Sequence, residues 1–551
     1  MDSFYKFPCG CKLKIIGNPV NNSGLPLLDI DYYNIDMNCP AAWKVFCDGH
    51  TQGIFQVESQ LGRNWCREIG PNNEEEVSAI SALMRPGCLE SFQDGKNMTQ
   101  HYADRKNNKE LVKEYHPVVD RILKDTYGVL TYQEQSMKLA QEIAGFSEQE
   151  ADMLRKAIGK KKPEEMAKVK KQFLEKSKEL NIVTEKQAEE IFDWIEKSQR
   201  YQFNKSHSIS YAYLSYYTAY AKAHGIVYFL TSWLSLAQEK LDPHKEVELL
   251  VGDASLFDVP VKVAKFCDLK TNFYTDGKSI TCGIGNIKNV GSSVINKIQS
   301  IIPLVEALLN KRIEDFSWYD ILFFVSSDIN SKSFQNLIYA GAFSYFGISR
   351  NKMVYEYGKW SELTENEQLF IKNKHLLNRY TSLITAMEDA CKTKKNGGAC
   401  HSEPRTKKLL NTIQLLKNPP LTLTDSPDKV AFDEKQLIGA SLTYSKIDGC
   451  DIGEANSTCK ELLQGKFGKY IVIACEILRV KETTIKKEGE NKGKKMAFLA
   501  VTDTGCVLDN ITIFSSEYQQ FKHFLVVGNT VLIRLEKGNK GGFIAKVIQQ
   551  C

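Results

Sequence analysis

The hydrophobic period of this chain changes once along its length, and that change sets the architecture. From about 46 to 240 apolar residues recur at helical intervals with few glycines, as in Thr131 to Ala144. From Tyr470 onward the pattern alternates in five β-rich runs: Tyr470 to Val480, Met496 to Asp503, Cys506 to Phe514, Thr530 to Leu535 and Phe543 to Ile548. Five such strands suggest a small closed barrel of the OB type. The expected fold class is therefore multidomain α+β, mostly helical first and ending in a five-stranded barrel. At 551 residues, about 150 per domain gives three or four domains. The expected division is a lead-in over 1–45, a helical body over 46–250, short strands with Gly-bounded helices over 251–350, a Lys-rich helical connector over 351–464 and the barrel over 465–551.

Composition excludes several classes. Hydrophobic residues at 42% and charged residues at 25% are ordinary for a chain that buries a core, so wholesale disorder is not expected. The net charge is only +5, so any contact with nucleic acid has to come from local clusters. The 15 cysteines are scattered except for Cys9 and Cys11, and no secretory h-region precedes them; a reducing, cytoplasmic setting is expected. The apolar stretch Ile226 to Leu236 is broken by Tyr, Thr, Ser and Trp and falls short of the ~20 residues a bilayer requires, so no membrane segment is expected.

The strongest local cluster lies in the helical body. In Ala151 to Met166, Gly159 supplies a helix stop, while Pro163 followed by Glu164 and Glu165 supplies a start. Between Arg155 and Lys178 there are ten basic and three acidic residues, a local excess of +7. Arg155, Lys156, Lys160, Lys161 and Lys162 stand at the junction, where guanidinium and ammonium groups can converge on a triphosphate or on backbone phosphates. A solvated helical face is the competing reading of the same charges. A second constellation is Arg200 to Tyr213. His207 and Tyr211 are four apart, and share a face if the helix starts at Ser206, with Lys205 at its N-terminal edge; Asn204 completes the group. The further stripe Tyr213, Tyr217 and Tyr220 reads as core packing.

Five motifs in order, Gly53 to Ser59, Leu83 to Gly87, Thr126 to Gln135, Ala151 to Met166 and Phe203 to Ser208, resemble the fingers-domain motifs of the bacterial DNA polymerase III alpha subunit, the C family of replicative polymerases. The segment Ile280 to Gly291 is similar to that family's helix-hairpin-helix region, Asp433 to Gly439 to its connector, and the C-terminal barrel to its OB domain. The resemblance implies a DNA-directed DNA polymerase component acting in replication. In it Arg155, Lys156 and Lys160 to Lys162 grip the triphosphate of an incoming deoxynucleotide, and Asn204, Lys205, His207 and Tyr211 line the same pocket. Positioning and charge neutralisation are what phosphoryl transfer asks of a protein. Arg85, Tyr132, Gln133 and Gln135 belong to matching motifs without an assigned role.

A polymerase also needs carboxylates holding two Mg²⁺ ions. In the family these lie in a palm preceding the fingers, and the family's PHP and tau-binding domains are not recognisable either. The expectation is half of a split polymerase, inactive alone, its catalytic aspartates on a second polypeptide, an arrangement that points to a phage or mobile element. The rival reading is a non-catalytic remnant that holds DNA or contacts a replisome. Asp29 and Asp31 share one face of a possible strand and are the weak local candidates for a metal pair; Leu28 to Ile30 matches the family's palm-to-fingers linker better. Cys9, Cys11, Cys39 and Cys47 could bind Zn²⁺, but their spacing fits no zinc-finger pattern; unliganded thiols are the favoured reading, and no metal site is expected on this chain.

The glycines Gly283, Gly285 and Gly291 fail G-x-G-x-x-G, because Lys288 stands in the third place. A hairpin whose exposed N–H groups and Lys288 touch duplex phosphates is the expectation, with Phe334 to Phe346 as a second such unit. In the barrel, Lys486, Lys487, Lys494 and Lys495 lie in the loop between the first two strands, where OB domains take single strands; Phe498 and Phe514 are expected in the core. Primer-template DNA is the expected partner. A sliding clamp is a further one, with Gln414-Leu-Leu and Gln436-Leu-Ile as its weak candidate peptides.

Overall fold

The computed structural model describes residues 4–17, 27–29, 35–160, 163–198, 202–392, 403–485, 489–503, 505–538 and 542–551. They fall into two compact units, one ending at Phe229 and one running from Leu230 to Cys551. No described helix is long and apolar enough to cross a membrane.

The first unit opens with a hairpin, Phe4–Lys6 against Lys12–Gly17, to which Leu27–Asp29 adds a third antiparallel strand. The hairpin tip turns at Gly10, whose φ of +96° suits a residue without Cβ. Phe7, Cys11 and Leu13 are buried in a core shared with the helices Pro40–Cys47, Glu74–Leu83 and Lys205–His224. A second core in the same unit packs the helices Gln133–Ala144, Glu148–Lys160, Pro163–Leu180 and Glu185–Ser198 around Leu139, Ile143, Leu154, Phe173 and Phe192. Helix ends follow local signals: Asn73 and Asn204 cap with their side chains, and Gly145 closes a helix in the left-handed region. The Glu148 helix runs one residue past Gly159 to Lys160, and the next begins at Pro163 as its sequence required.

The second unit begins with helices and a three-stranded sheet, Val261–Lys262, Ile280–Thr281 and Tyr274–Thr275 in spatial order. The helix Ser292–Leu309 follows Gly291 directly. The hairpin 283–291 is thus preceded by a strand. The second expected unit has helices on both sides, Ser331–Tyr339 and Arg350–Ser361, with Gly341 in the turn at φ +82°. The C-terminal strands Ile471–Thr484, Lys495–Thr502, Val507–Ile513, Thr530–Lys537 and Phe543–Gln550 close into a barrel, in the circular order second, third, fifth, fourth, first. The third and fifth strands run parallel and the other pairs antiparallel, with the helix Ser515–Phe521 between the third and fourth. This is the expected five-stranded OB-type closure, and it leaves no free sheet edge.

Several placements differ from the sequence reading. Phe498 stands between the inward Ala497 and Leu499, so the period of two turns it outward, half-buried opposite Lys481 and Thr512; Phe514 caps the helix after the third strand and is 43% exposed. Among the tyrosines, the core takes Tyr216 and Tyr220, whereas Tyr213 is exposed with its hydroxyl 3.4 Å from Glu74. Gln414 and Gln436 both lie inside helices, Glu403–Lys417 and Pro427–Ile438, and Ile438 is fully buried, so neither triplet is offered as an extended peptide.

Candidate nucleotide-binding surface

The helix Lys205–His224 carries the second constellation. Its first turn is fixed by Asn204, whose side-chain oxygen accepts from the His207 N–H at 2.8 Å while its amide donates to Glu134 at 2.9 Å. Glu134 also accepts from the Lys205 N–H at 3.0 Å. The approach to this helix is set by a short bridge between Tyr132 and Phe203: Phe203 donates to the Thr131 carbonyl and Gln133 to the Phe203 carbonyl. Beneath it Tyr132 is buried with its hydroxyl 2.9 Å from Ser78, which in turn meets Ser208 at 2.7 Å. Gln135 accepts from the N–H groups of both Thr131 and Tyr132 at 2.9 Å and donates to Thr126. Tyr132 and Gln135 thus build the platform, while Gln133 contributes its backbone.

On that platform, side chains from three distant stretches form a ladder along one face of the helix. Arg85 lies 3.9 Å over the Phe203 ring, Phe203 and His207 are 5.4 Å apart, His207 and Tyr211 4.2 Å, and Tyr211 stacks on Phe55 at 5.0 Å. Arg85, His207 and Phe55 are exposed and the other two half-buried. The expected shared face of His207 and Tyr211 is therefore real, and it is longer than the sequence suggested. Phe55 and Arg85 sat in quoted motifs, but only packing shows that they join it. Such a row offers faces and a guanidinium plane to a base, and a cation to phosphate.

The cations are less free than the sequence implied. Lys205 pairs with Glu75 at 3.0 Å, its ammonium 5.7 Å from the Tyr132 ring centre. Arg155 and Lys156 both grip Asp152, at 2.7 and 2.8 Å, and those partners hold the Asp152 carboxyl below its usual range. Both cations and the carboxylate remain substantially exposed, so solvent screening leaves these pairs weak and an arriving phosphate can displace the carboxylate. Lys160 ends its helix; Lys161 and Lys162 lie outside the described residues. Arg155 and Lys156 stand on the second core and the ladder on the first.

Of the weak metal candidates, Asp29 lies in the third strand, its backbone in register with Lys14, and Asp31 lies outside the described residues. Among the cysteines, Cys47 is elsewhere, its thiol 3.4 Å from the Pro71 carbonyl. Cys9, Cys11 and Cys39 do come together, joined by His224, with the four ligating atoms within 4.8 Å of one another. Burial pushes the His224 imidazole down to about 4, so it is neutral at neutral pH, and burial raises the Cys11 and Cys39 thiols.

In the second unit the 283–291 loop corrects one expectation. The N–H groups of Ile284, Gly285 and Lys288 are consumed inside the protein, by the carbonyls of Lys270, Thr271 and Leu437 at 2.8 to 2.9 Å. A Cβ on Gly283 would stand 2.3 Å from the Thr271 oxygen, so this glycine serves a close backbone approach. What faces outward is the exposed Lys288 and Gly291 at the head of the 18-residue helix. In the barrel loop, Lys494 donates to Asn491 at 2.9 Å and Lys495 pairs with Glu482 at 3.0 Å, whereas Lys486 and Lys487 lie outside the described residues.

Residues 15–181 match the family model described as the bacterial DNA polymerase III alpha subunit finger domain. The chain is 35% identical over 332 residues to the DNA polymerase III subunit alpha of Aquifex aeolicus and 32% identical over 330 residues to that of Caulobacter vibrioides, 59% of this chain and 27% of the relative in each case. The Pasteurella multocida subunit alpha is 35% identical over 355 residues, covering 61% of this chain and 28% of its own length. The chain thus spans little more than a quarter of the curated relatives it matches. Over residues 15–181 the chain is similar to the finger domain of the bacterial DNA polymerase III alpha subunit, and over about three fifths of its length it is similar to those subunits.

Proposed function

We propose that this chain acts in DNA replication as the finger and DNA-binding component of a DNA-directed DNA polymerase. The ladder Arg85, Phe203, His207, Tyr211 and Phe55, in a unit whose residues 15–181 match the alpha-subunit finger domain, carries this reading. An incoming deoxynucleoside triphosphate lays its base and sugar along the rings, and its phosphates draw Arg155 and Lys156 away from Asp152, with Lys160 to Lys162 adding charge at the same junction. Asn204 and Lys205 fix the helix that presents the ladder.

The chemical step needs Mg²⁺ on oxygen ligands. Among the described residues the clustered ligating group is thiol-rich, which does not suit that ion. We propose that the metal-binding carboxylates belong to a palm, the domain that bears them in the polymerases this chain resembles, carried by a second polypeptide. Downstream, Lys288 beside Gly283, Gly285 and Gly291 contacts duplex backbone, and the barrel face around Phe498 and Lys481, with the loop lysines Lys486, Lys487, Lys494 and Lys495, takes the single-stranded template.

The test is primer extension by this chain assembled with its palm partner. Arg155→Glu with Lys156→Glu raises the KM for deoxynucleotides by roughly tenfold or more, each tenfold being about 1.4 kcal/mol, and His207→Ala with Tyr211→Ala does the same with DNA affinity retained. An unaltered KM in both double variants overturns the nucleotide role, and extension by this chain alone overturns the divided active site.

A further inference from the structure

We propose that Cys9, Cys11, Cys39 and His224 form a tetrahedral zinc site that clasps the N-terminal hairpin to the head of the helix Pro40–Cys47 and the end of the helix Lys205–His224. The geometry is that of a ligand set. With Zn–S near 2.3 Å and Zn–N near 2.0–2.1 Å, a tetrahedral ion places its sulfurs about 3.8 Å apart and sulfur and nitrogen about 3.6 Å apart. Here Cys39 Sγ stands 3.9 Å from Cys9 Sγ and 3.3 Å from His224 Nε2, and Cys9 Sγ stands 4.0 Å from the same nitrogen. At 3.9 Å the sulfurs are nearly twice the ~2.05 Å of a disulfide apart.

The four residues reach this point from three separate segments. Cys9 and Cys11 flank Gly10 at the hairpin tip, where the turn is held by Phe7 N–H to the Cys11 carbonyl and Gly10 N–H to the Phe7 carbonyl, both 2.9 Å. Cys39 stands at the head of the helix Pro40–Cys47, and its N–H donates to the Tyr216 hydroxyl. His224 closes the helix Lys205–His224. Cys11, Cys39 and His224 are buried, and the Phe7 and Tyr220 rings lie 4.2 and 4.3 Å from the imidazole, so the site is shielded from water. Three soft thiolates and one imidazole select zinc over the hard cations of phosphoryl transfer. Binding releases the thiol protons to solvent and adds the metal's affinity to the stability of the fold. The site also anchors the far end of the helix whose first turns carry the ladder, so it stiffens the nucleotide surface from a distance and touches no substrate.

The test is elemental analysis of the full chain, purified under reducing conditions without chelator, together with cobalt reconstitution. One equivalent of zinc is expected, and cobalt in its place should show the intense visible bands of a tetrahedral, sulfur-rich site. Cys39→Ser and His224→Ala lose the ion, and Cys47→Ser keeps it. Should a cysteine variant fail to fold, the unaltered chain still decides: reduced protein that takes up neither zinc nor cobalt, or that holds iron instead, overturns the proposal. So does a soluble His224→Ala chain with its zinc and cobalt spectrum unchanged, or loss of the ion from Cys47→Ser.

Discussion

Truncating Gln135 to Ala isolates the platform on which the nucleotide surface rests. The side chain is buried and makes three hydrogen bonds, accepting from the Thr131 and Tyr132 N–H groups at 2.9 Å and donating to Thr126 Oγ1 at 2.7 Å. Alanine suits a helix, so propensity does not oppose the change; what remains is two buried N–H donors stripped of their acceptor. At roughly 1–3 kcal/mol for each orphaned donor, offset by local relaxation, the loss should be about 3 kcal/mol. For a unit of this size that lowers the unfolding midpoint by roughly 6–12 °C. Differential scanning calorimetry of the full chain reads the transition of the first unit, and hydrogen exchange reads the Thr131, Tyr132 and Phe203 amides, which should lose protection together because the Tyr132–Phe203 bridge hangs on the same loop. Gln133→Ala is the control: that residue joins the bridge through its backbone, so its side chain should matter by no more than about 0.5 kcal/mol. If the two variants melt within ~1 kcal/mol of each other, the hydrogen-bond accounting for this loop is wrong.

Three further outcomes follow from other sites. Glu110 is partly buried, which raises its carboxyl, but His101, Arg105 and Lys96 more than offset this and hold it down to about 2 against an ordinary 4.5. Its stabilising contribution is therefore complete above about pH 4.5 and lost as pH falls through 2; on the order of 2 kcal/mol after solvent screening should vanish from the acid limb of the unfolding curve in Glu110→Gln, and an identical acid limb would contradict this. In the second unit Arg350 and Glu434 form a buried pair at 2.6 Å, with Glu434 also accepting from the Leu442 and Thr443 N–H groups. Glu434→Ala leaves a buried guanidinium and should cost about 3–5 kcal/mol in urea unfolding, whereas Arg350→Met with Glu434→Leu should cost less than the single change. In the barrel, Phe498→Ala should weaken single-stranded DNA binding by about 1–3 kcal/mol and Phe498→Tyr should not; equal affinity of all three chains in a fluorescence-anisotropy titration would return Phe498 to a packing role.

The periodicity of the sequence by itself determined the division into helical bodies and barrel, because the repeat of 3.6 or 2 is written within a few residues. The five β runs became five strands, and the start at Pro163 was legible for the same reason, whereas the second helix begins at Lys205, one residue before the expected Ser206, capped by Asn204. The shared face of His207 and Tyr211 likewise needs only a four-residue spacing. Tertiary structure alone decided the rest. Whether Lys205 is free or paired depends on Glu75, 130 residues away, and whether the Gly285 N–H can meet a phosphate depends on a carbonyl at Thr271. Phe498 turned outward because its neighbours filled the barrel, although its residue type favours burial. The cysteines found their fourth partner in His224, 185 residues beyond Cys39, and not in the nearby Cys47. Spacing along a chain fixes which side chains share a face; which faces meet is fixed by packing, and the chemistry of a site belongs to the meeting.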